Sequence, residues 1–368
     1  MKGRSNIAII IPGGIGTGHN NIGVPVLERI VKLLSADFNL TVFQLCPVNQ
    51  NFKVTEFELI DIHSRFPIIR YFKFYFAFRK IQRQKQFKDV HGFWSFPCGF
   101  LAVLMGKIFQ IKSLVSVLGG DAIALPEIQY GQLLSPLKKK LILWSLTQAG
   151  EANALTQFLI DNLTKHGLKR KDVKIIPWGI DTSLFSFREK SLAEPVQFLH
   201  IANLHPVKDQ ETLLRAFKII SENVSARLTI IGEGVSEKLV KNLIEQLGLQ
   251  NDVTIRGLLP YEELPAYYRN SDVLLHTSRS EGQSEVVTEA MSCGVLVCGT
   301  QAGLIYDLPD CCVSVPIGDF ESLGNEVLKL LKNPQRMNEI RSNAHAWTKI
   351  HTIHWTTERI KELYQVRP

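Results

Sequence analysis

The stretch 280–294, SEGQSEVVTEAMSCG, sets two acids, Glu281 and Glu289, eight residues apart around a Gly-Gln-Ser turn. An acid in the first turn of a helix complements the unpaired N–H groups and the positive end of the dipole, which accounts for Glu285. It does not account for Glu281, which precedes the turn, or for Glu289, which falls in the second helical turn. A carboxylate at Glu289 can accept two hydroxyl hydrogens from a ribose, and Glu281, on the loop, can accept from sugar hydroxyls. The free N–H groups of a helix starting near Ser284 suit a phosphate. In HIANLHPVKDQETLLRAF, residues 200–217, Lys208 stands just before a helix that begins around Asp209, where an ammonium also suits a phosphate oxygen. Acids for hydroxyls, with N–H groups and an ammonium for phosphates, describe a nucleotide-sugar site.

A second candidate is the N-terminal loop PGGIGTGHN, whose Gly14-x-Gly16-x-Gly18 spacing loosely matches a dinucleotide fingerprint. That chemistry also asks for an acid after the second strand to hold a ribose. The segment there reads QLCPVNQ, with no acid, so nicotinamide and flavin binding are set aside. The six cysteines show no C-x-x-C pair and no histidines at zinc spacing, and are read as buried free thiols.

These residues need strand ends and helix starts to hold them. Strands are expected at 6–11, 40–45, 113–118 and 173–176, and helices at 24–34, 67–86, 97–109, 132–148 and 157–166. The polar, irregular stretch 177–195 reads as a linker. Beyond it strands are expected at 197–201, 227–231, 252–255, 272–276 and 295–298. Helices alternate with them at 209–222, 235–247, 262–269 and 284–292, and three more close the chain at 319–332, 335–348 and 355–365. Alternation of this kind makes parallel sheets covered by helices, with ligands beyond the carboxyl ends of the strands. The expected architecture is α/β: two doubly wound, Rossmann-like domains facing across a cleft, at 1–180 and 181–348. A terminal helix within 349–368, carrying Trp355 and Tyr364, packs back on the first domain.

Length and composition agree with two cores: 368 residues, 45% hydrophobic. No apolar run reaches the roughly 18 residues of a membrane span, and the opening MKGRSNIAIIIPGGIG reads as a first strand, so a cytoplasmic protein is expected. The formal charge of +7 is unevenly spread. Residues 1–188 hold 24 Lys+Arg and 12 Asp+Glu, a balance of +12, and residues 189–368 hold 18 and 23, a balance of −5. Much of the excess lies at 65–88, RFPIIRYFKFYFAFRKIQRQKQFK, with eight Lys/Arg, eight aromatics and no acid. Such a segment is either a core helix with a solvated basic face or a surface for an anionic membrane at the inner face of the cell. No nucleic-acid module accompanies the charge.

The second half resembles the retaining family-4 glycosyltransferases of the GT-B fold (glycosyl transferases group 1). The matching stretches are IANLHPVKDQETLLRAF, LTIIGEG, VTIRGLLPYEELPAYYRNSDVLLHTSRSEGQSEVVTEAMSCGVLVCGT and VPIGDFESL. The first half matches more loosely through IIIPGGIG, GFWSFPCGFLA, VSVLGGD and VKIIPWGIDTSLF. The resemblance implies that Lys208 binds the donor diphosphate, Glu289 the ribose and Glu281 the transferred sugar. It implies that the N–H groups of Gly282, Gln283 and Ser284, beside Glu285, hold sugar and phosphate, that the base lies near Arg256, Gly257 and Leu258, and that Gly13 and Gly14 approach the donor. Glu281, Lys208 and Asp121 are the catalytic candidates. There are departures: Asn203 stands where the family has an arginine, Leu118 stands where a histidine precedes Gly119-Gly120-Asp121, and Tyr306 in AGLIYD replaces an acid.

The implied reaction is transfer of a hexose, with retention, from a nucleotide-diphosphate sugar to a saccharide or lipid-linked hydroxyl. With no D-x-D in the chain, no metal or other cofactor is expected. Two alternatives stay open: a nucleotide-sugar epimerase of the same fold, and a catalytically silent sugar-nucleotide-binding or scaffold protein.

Overall fold

The computed structural model describes residues 4–17 and 23–365; Gly18 lies outside them. The chain forms two compact units, Met1–Trp178 with Ile353–Pro368, and Gly179–Thr352.

The first unit is laid down as β1 (Asn6–Ile11), α1 (Pro25–Ser35), β2 (Asn39–Gln44), β3 (Glu58–Asp61), α2 (Pro67–Lys85), β4 (Asp89–Phe93), α3 (Phe100–Phe109), β5 (Lys112–Val117), α4 (Pro136–Gln148), β6 (Glu151–Ala154), α5 (Gln157–Lys165) and β7 (Lys174–Ile175). Its seven strands, all parallel, run in the order β3-β2-β1-β4-β5-β6-β7. The run NIAIII in β1 is apolar at successive positions because both faces of the strand are covered. Ile7, Ile9 and Ile11 enter one core with α1, while Ala8 and Ile10 enter another with Phe74 and Phe78 of α2.

The second unit holds β8 (Val196–Ile201), α6 (Gln210–Ser221), β9 (Ala226–Ile231), α7 (Glu237–Gln246), β10 (Val253–Ile255), α8 (Leu264–Arg269), β11 (Val273–His276), α9 (Glu285–Ser292), β12 (Leu296–Thr300), α10 (Leu304–Asp307), β13 (Val313–Val315), α11 (Phe320–Leu331) and α12 (Pro334–Ile350). Its strand order is β10-β9-β8-β11-β12-β13, again parallel. Strand order reverses between β8 and β11, so the loops leaving those neighbouring strands diverge and leave room for a ligand. The last helix, α13 (Ile353–Gln365), belongs to the first unit and packs on α1.

Four expectations change. Strands β3, β4, β6 and β13 and helix α10 were not foreseen. The stretch 177–195 is no free linker, since Ile180 and Phe185 are buried in the core of the second unit. That unit runs past 348 because α12 continues to Ile350 and Thr352 then bridges to Ile180. Of the cysteines, Cys46 is exposed and the other five are buried.

Candidate functional site

Lys208 and Glu281 leave β8 and β11, the two strands at the reversal of the second sheet, and they meet. Lys208 Nζ stands 2.6 Å from Glu281 Oε1. The loops that carry them are tied together independently of that pair. The Thr277 hydroxyl donates to the carbonyls of Lys208 (3.1 Å) and Asp209 (3.0 Å), and Arg279 N donates to Val207 O (2.8 Å). The Arg279 guanidinium lies 3.1 Å from the Asp209 carboxylate, which also caps α6 through Thr212 N. With their backbones fixed, the two side chains need little further ordering to hold one geometry.

His276 closes the cluster. Its buried Nε2 faces Glu281 Oε1 at 3.0 Å, Ser284 Oγ at 3.0 Å and Ser278 Oγ at 3.2 Å, and Ser278 Oγ donates to Glu281 at 2.5 Å. Burial alone would raise the Glu281 carboxyl; the Lys208 ammonium and the His276 hydrogen bond outweigh it and hold the group well below the usual carboxylate range. Glu281 is an anion at neutral pH.

Between Glu281 and α9 the chain makes a tight turn. Gln283 is buried, and Ser284 adopts φ +79° with its hydroxyl turned to His276 rather than capping the helix. The turn rests on a second one. Leu304 N donates to Gln283 O (3.1 Å), and a Cβ on Gly303, at φ +58°, would stand 2.7 Å from that carbonyl and 2.8 Å from Glu281 Cβ. Glycine is required there both by conformation and by contact.

Glu289 keeps different company from Lys208. It is 2% exposed and accepts a 2.6 Å hydrogen bond from the hydroxyl of Tyr268, itself buried on α8. Desolvation raises it to about 7, against the lowering effect of hydrogen bonds from Tyr268 and Tyr261. Glu285, one helical turn before it and half-buried, is pushed up to about 8 by desolvation and then by the charge of Glu289. The helix dipole favours an anion at Glu285, so its elevation means that burial and its neighbour win.

The other candidates lie as follows. Asn203 and Arg256 are exposed, Leu258 is 45% exposed, and Gly257 O accepts from Gly232 N (2.8 Å). Gly282 is half-buried. Gly13, Gly14 and Asp121 belong to the first unit. Gly14 has φ +108°, and its N–H donates to Thr17 Oγ1 (3.2 Å); a Cβ on Gly13 would meet Cys46 Cβ at 3.2 Å. Asp121 is buried with four donors on its two oxygens: Ser95 N and Oγ at 2.7 and 2.8 Å, Leu118 N at 3.3 Å and Gly119 N at 2.8 Å. That fills a carboxylate's acceptor capacity, so Asp121 clamps two loops. Among the described residues no group of three or more His, Cys, Asp and Glu is arranged to hold a metal ion.

Sequence reasoning missed His276, Tyr268 and Gly303. A histidine or tyrosine inside an apolar run reads as core, and the positive φ that turns the Ser284 hydroxyl toward His276 is visible only in the structure.

Residues 183–347 match the family model for glycosyl transferases group 1. Over 271 residues the chain is 24% identical to the N-acetyl-alpha-D-glucosaminyl L-malate synthase of Bacillus anthracis, covering 70% of this chain and 68% of that protein. Over 176 residues it is 30% identical to the putative colanic acid biosynthesis glycosyltransferase WcaL of Escherichia coli strain K12, covering 45% and 43%. The chain thus spans about two thirds of the length of one of these curated relatives and less than half of the other. Among solved structures, Anabaena Alr3699/HepE in complex with UDP and glucose superposes with a TM-score of 0.75 at 18% identity, over 98% of this chain and 99% of that one. The two parallel-sheet units are those of the GT-B fold.

Proposed function

We propose, from the match of residues 183–347 to the family model for glycosyl transferases group 1, that this chain moves a hexose from a nucleotide-diphosphate sugar to an acceptor hydroxyl, with retention at the anomeric carbon and without a metal. The observation that carries the reading is the 2.6 Å pair of Lys208 and Glu281 at the reversal of the second sheet, beside the turn that opens α9.

The chemistry follows from the charges. As the anomeric carbon–oxygen bond breaks, the diphosphate gains negative charge. The Lys208 ammonium and the N–H groups of the 282–284 turn, at the positive end of α9, stabilise it without rearranging. Donor binding shares the Lys208 ammonium between Glu281 and phosphate, and the ionised Glu281 accepts hydroxyls of the sugar. Ionised Glu289 accepts from the ribose, and the base rests on the backbone of Arg256, Gly257 and Leu258. The acceptor oxygen bonds to the anomeric carbon on the face the phosphate leaves, and its proton passes to a departing phosphate oxygen. Asp121 keeps its loops in place and exchanges no proton. The named activities of the colanic acid enzyme and of the malate synthase support a saccharide or other hydroxyl acceptor. We place that acceptor, saccharide or lipid-linked, at the inner face of the cell membrane.

The test is a thermal-shift screen of nucleoside diphosphates and their sugars, followed by transfer assays in EDTA with the product anomer read by NMR. One donor should raise the melting temperature, and Lys208→Ala should abolish that shift and cut turnover by about two orders of magnitude or more. The variant should remain folded, with a lowered melting temperature because the buried Glu281 loses its counter-charge. A variant that turns over at near-normal rate, or a chain that no nucleotide stabilises, would sink the proposal.

A further inference from the structure

Helix α2 is apolar on two opposite sides, yet only one of them is covered. Phe74 and Phe78 point inward and pack with Phe43, Phe87 and Phe109. Ile68, Ile69, Phe72 and Phe76 are 72%, 53%, 59% and 59% exposed. At 3.6 residues per turn these four fall within about a 100° arc, opposite Phe74 and Phe78. Arg79, Lys80 and Arg83 continue the same outward arc along the second half of the helix, all exposed. Four large apolar side chains left together in water on one face of a helix mark a surface that something covers.

We propose that the outward face of α2 is a membrane-contact surface: Ile68, Ile69, Phe72 and Phe76 enter the acyl boundary of an anionic bilayer, while Arg79, Lys80 and Arg83 engage its phosphates. Charge complementarity selects this occupant. The whole segment 65–88 carries eight Lys/Arg and no acid, so its cations have no counter-charge on their own stretch, and Lys85 turns away to Glu58, outside it. A helix lying in the interface, with Phe and Ile below it and Arg and Lys at headgroup level, satisfies both sets at once. No helix among the described residues is long and apolar enough to cross a membrane, so contact at the surface is the mode available to this helix. The inference rests on the proposed function only where that places the acceptor at a membrane.

Sedimentation with phosphatidylcholine vesicles, with and without phosphatidylglycerol, tests it. The full chain should bind the anionic vesicles at low salt, ignore the neutral ones, and weaken as salt screens the charge. Each cation is worth roughly fivefold, so Arg79→Glu, Lys80→Glu and Arg83→Glu together should lower partitioning by about a hundredfold or more. Phe72→Ser with Phe76→Ser should lower it by about tenfold or more, and all five positions are exposed. Equal binding to both vesicles, binding to neither, or charge variants that sediment like the parent would overturn the assignment. So would association of the chain with itself through this face, seen by light scattering and abolished by the Phe72 and Phe76 changes without any vesicle binding. The donor-induced thermal shift, measured on the same samples, separates the two failures: it survives if only the membrane surface is wrong.

Discussion

Glu289 links the protein's stability to its proposed chemistry through a single proton. Its folded-state value of about 7 lies above the ordinary 4.5, so the folded protein binds that proton more tightly than the unfolded chain does. The contribution is therefore complete below about pH 4.5 and is lost as pH rises through about 7. Only the ionised form accepts two ribose hydroxyls, so donor affinity should move the opposite way and strengthen between about pH 6 and 8. Glu289→Gln, which keeps an oxygen for the Tyr268 hydroxyl, should bind donor more weakly and without that rise, and its melting temperature should lose the matching fall. Calorimetric titration with donor and melting curves across this range would show it; a parent affinity that is flat through pH 7 removes Glu289 from the ribose. At this scale Lys208 and Glu281 were legible one by one, as a cation and an acid near strand ends, but their pairing was not, since they lie 73 positions apart in the chain. His276 was not legible: nothing in DVLLHTS says that its imidazole turns to a carboxylate rather than into the core.

The same division appears among the elements. Strands such as β1 and β8 were readable because β-branched and aromatic runs have few other homes. Strands β4 and β6, DVHGF and EANA, were missed because they carry polar residues in the middle of a sheet. Those residues satisfy one another across strands. His91 Nε2 meets Ser116 Oγ at 2.7 Å, and that hydroxyl donates to Asn153 Oδ1 at 2.7 Å, a row that appears only once the strand order is known. The turn before α10 raised a similar difficulty: AGLIYD looked like a family turn lacking its acid, yet its working residue is Gly303, which supports the 281–283 loop from beneath. Gly303→Ala sets a Cβ 2.7 Å from the Gln283 carbonyl at φ +58°. At ψ −131° this positive φ is comfortable only for glycine, so the backbone cost alone is about 1–3 kcal/mol, and relief of the contact must shift Glu281 or Gln283. Donor affinity should fall by about tenfold or more, by more than the stability loss alone explains. If the variant melts lower but binds donor as the parent does, the turn is structural and the loop does not depend on it.

For the whole molecule, the return of the chain at α13 carries most of the consequence. The helix leaves the second unit after Thr352 and completes the first, where Thr356 Oγ1 donates to Pro177 O (2.7 Å) and Phe38 meets the Tyr364 ring edge-on. Tyr364 also reaches the polar row of the sheet, with its hydroxyl 2.8 Å from His91 Nδ1. Since Ser116 Oγ gives its hydrogen to Asn153, it accepts from His91 Nε2–H, which leaves Nδ1 to accept from Tyr364. Burial holds His91 down to about 3, so the ring is neutral when folded, and the stability this provides above about 6.5 is lost as pH falls toward that lower value. Tyr364→Phe keeps the ring packed against Phe38 but leaves a buried nitrogen without its donor, at a cost of about 1–3 kcal/mol. Tyr364→Ala adds a cavity and should cost about 3–5 kcal/mol. Urea unfolding of the full chain should place the variants in that order. A Phe variant as stable as the parent would show that α13 is held by apolar packing alone, and that the row through His91, Ser116 and Asn153 stands without it.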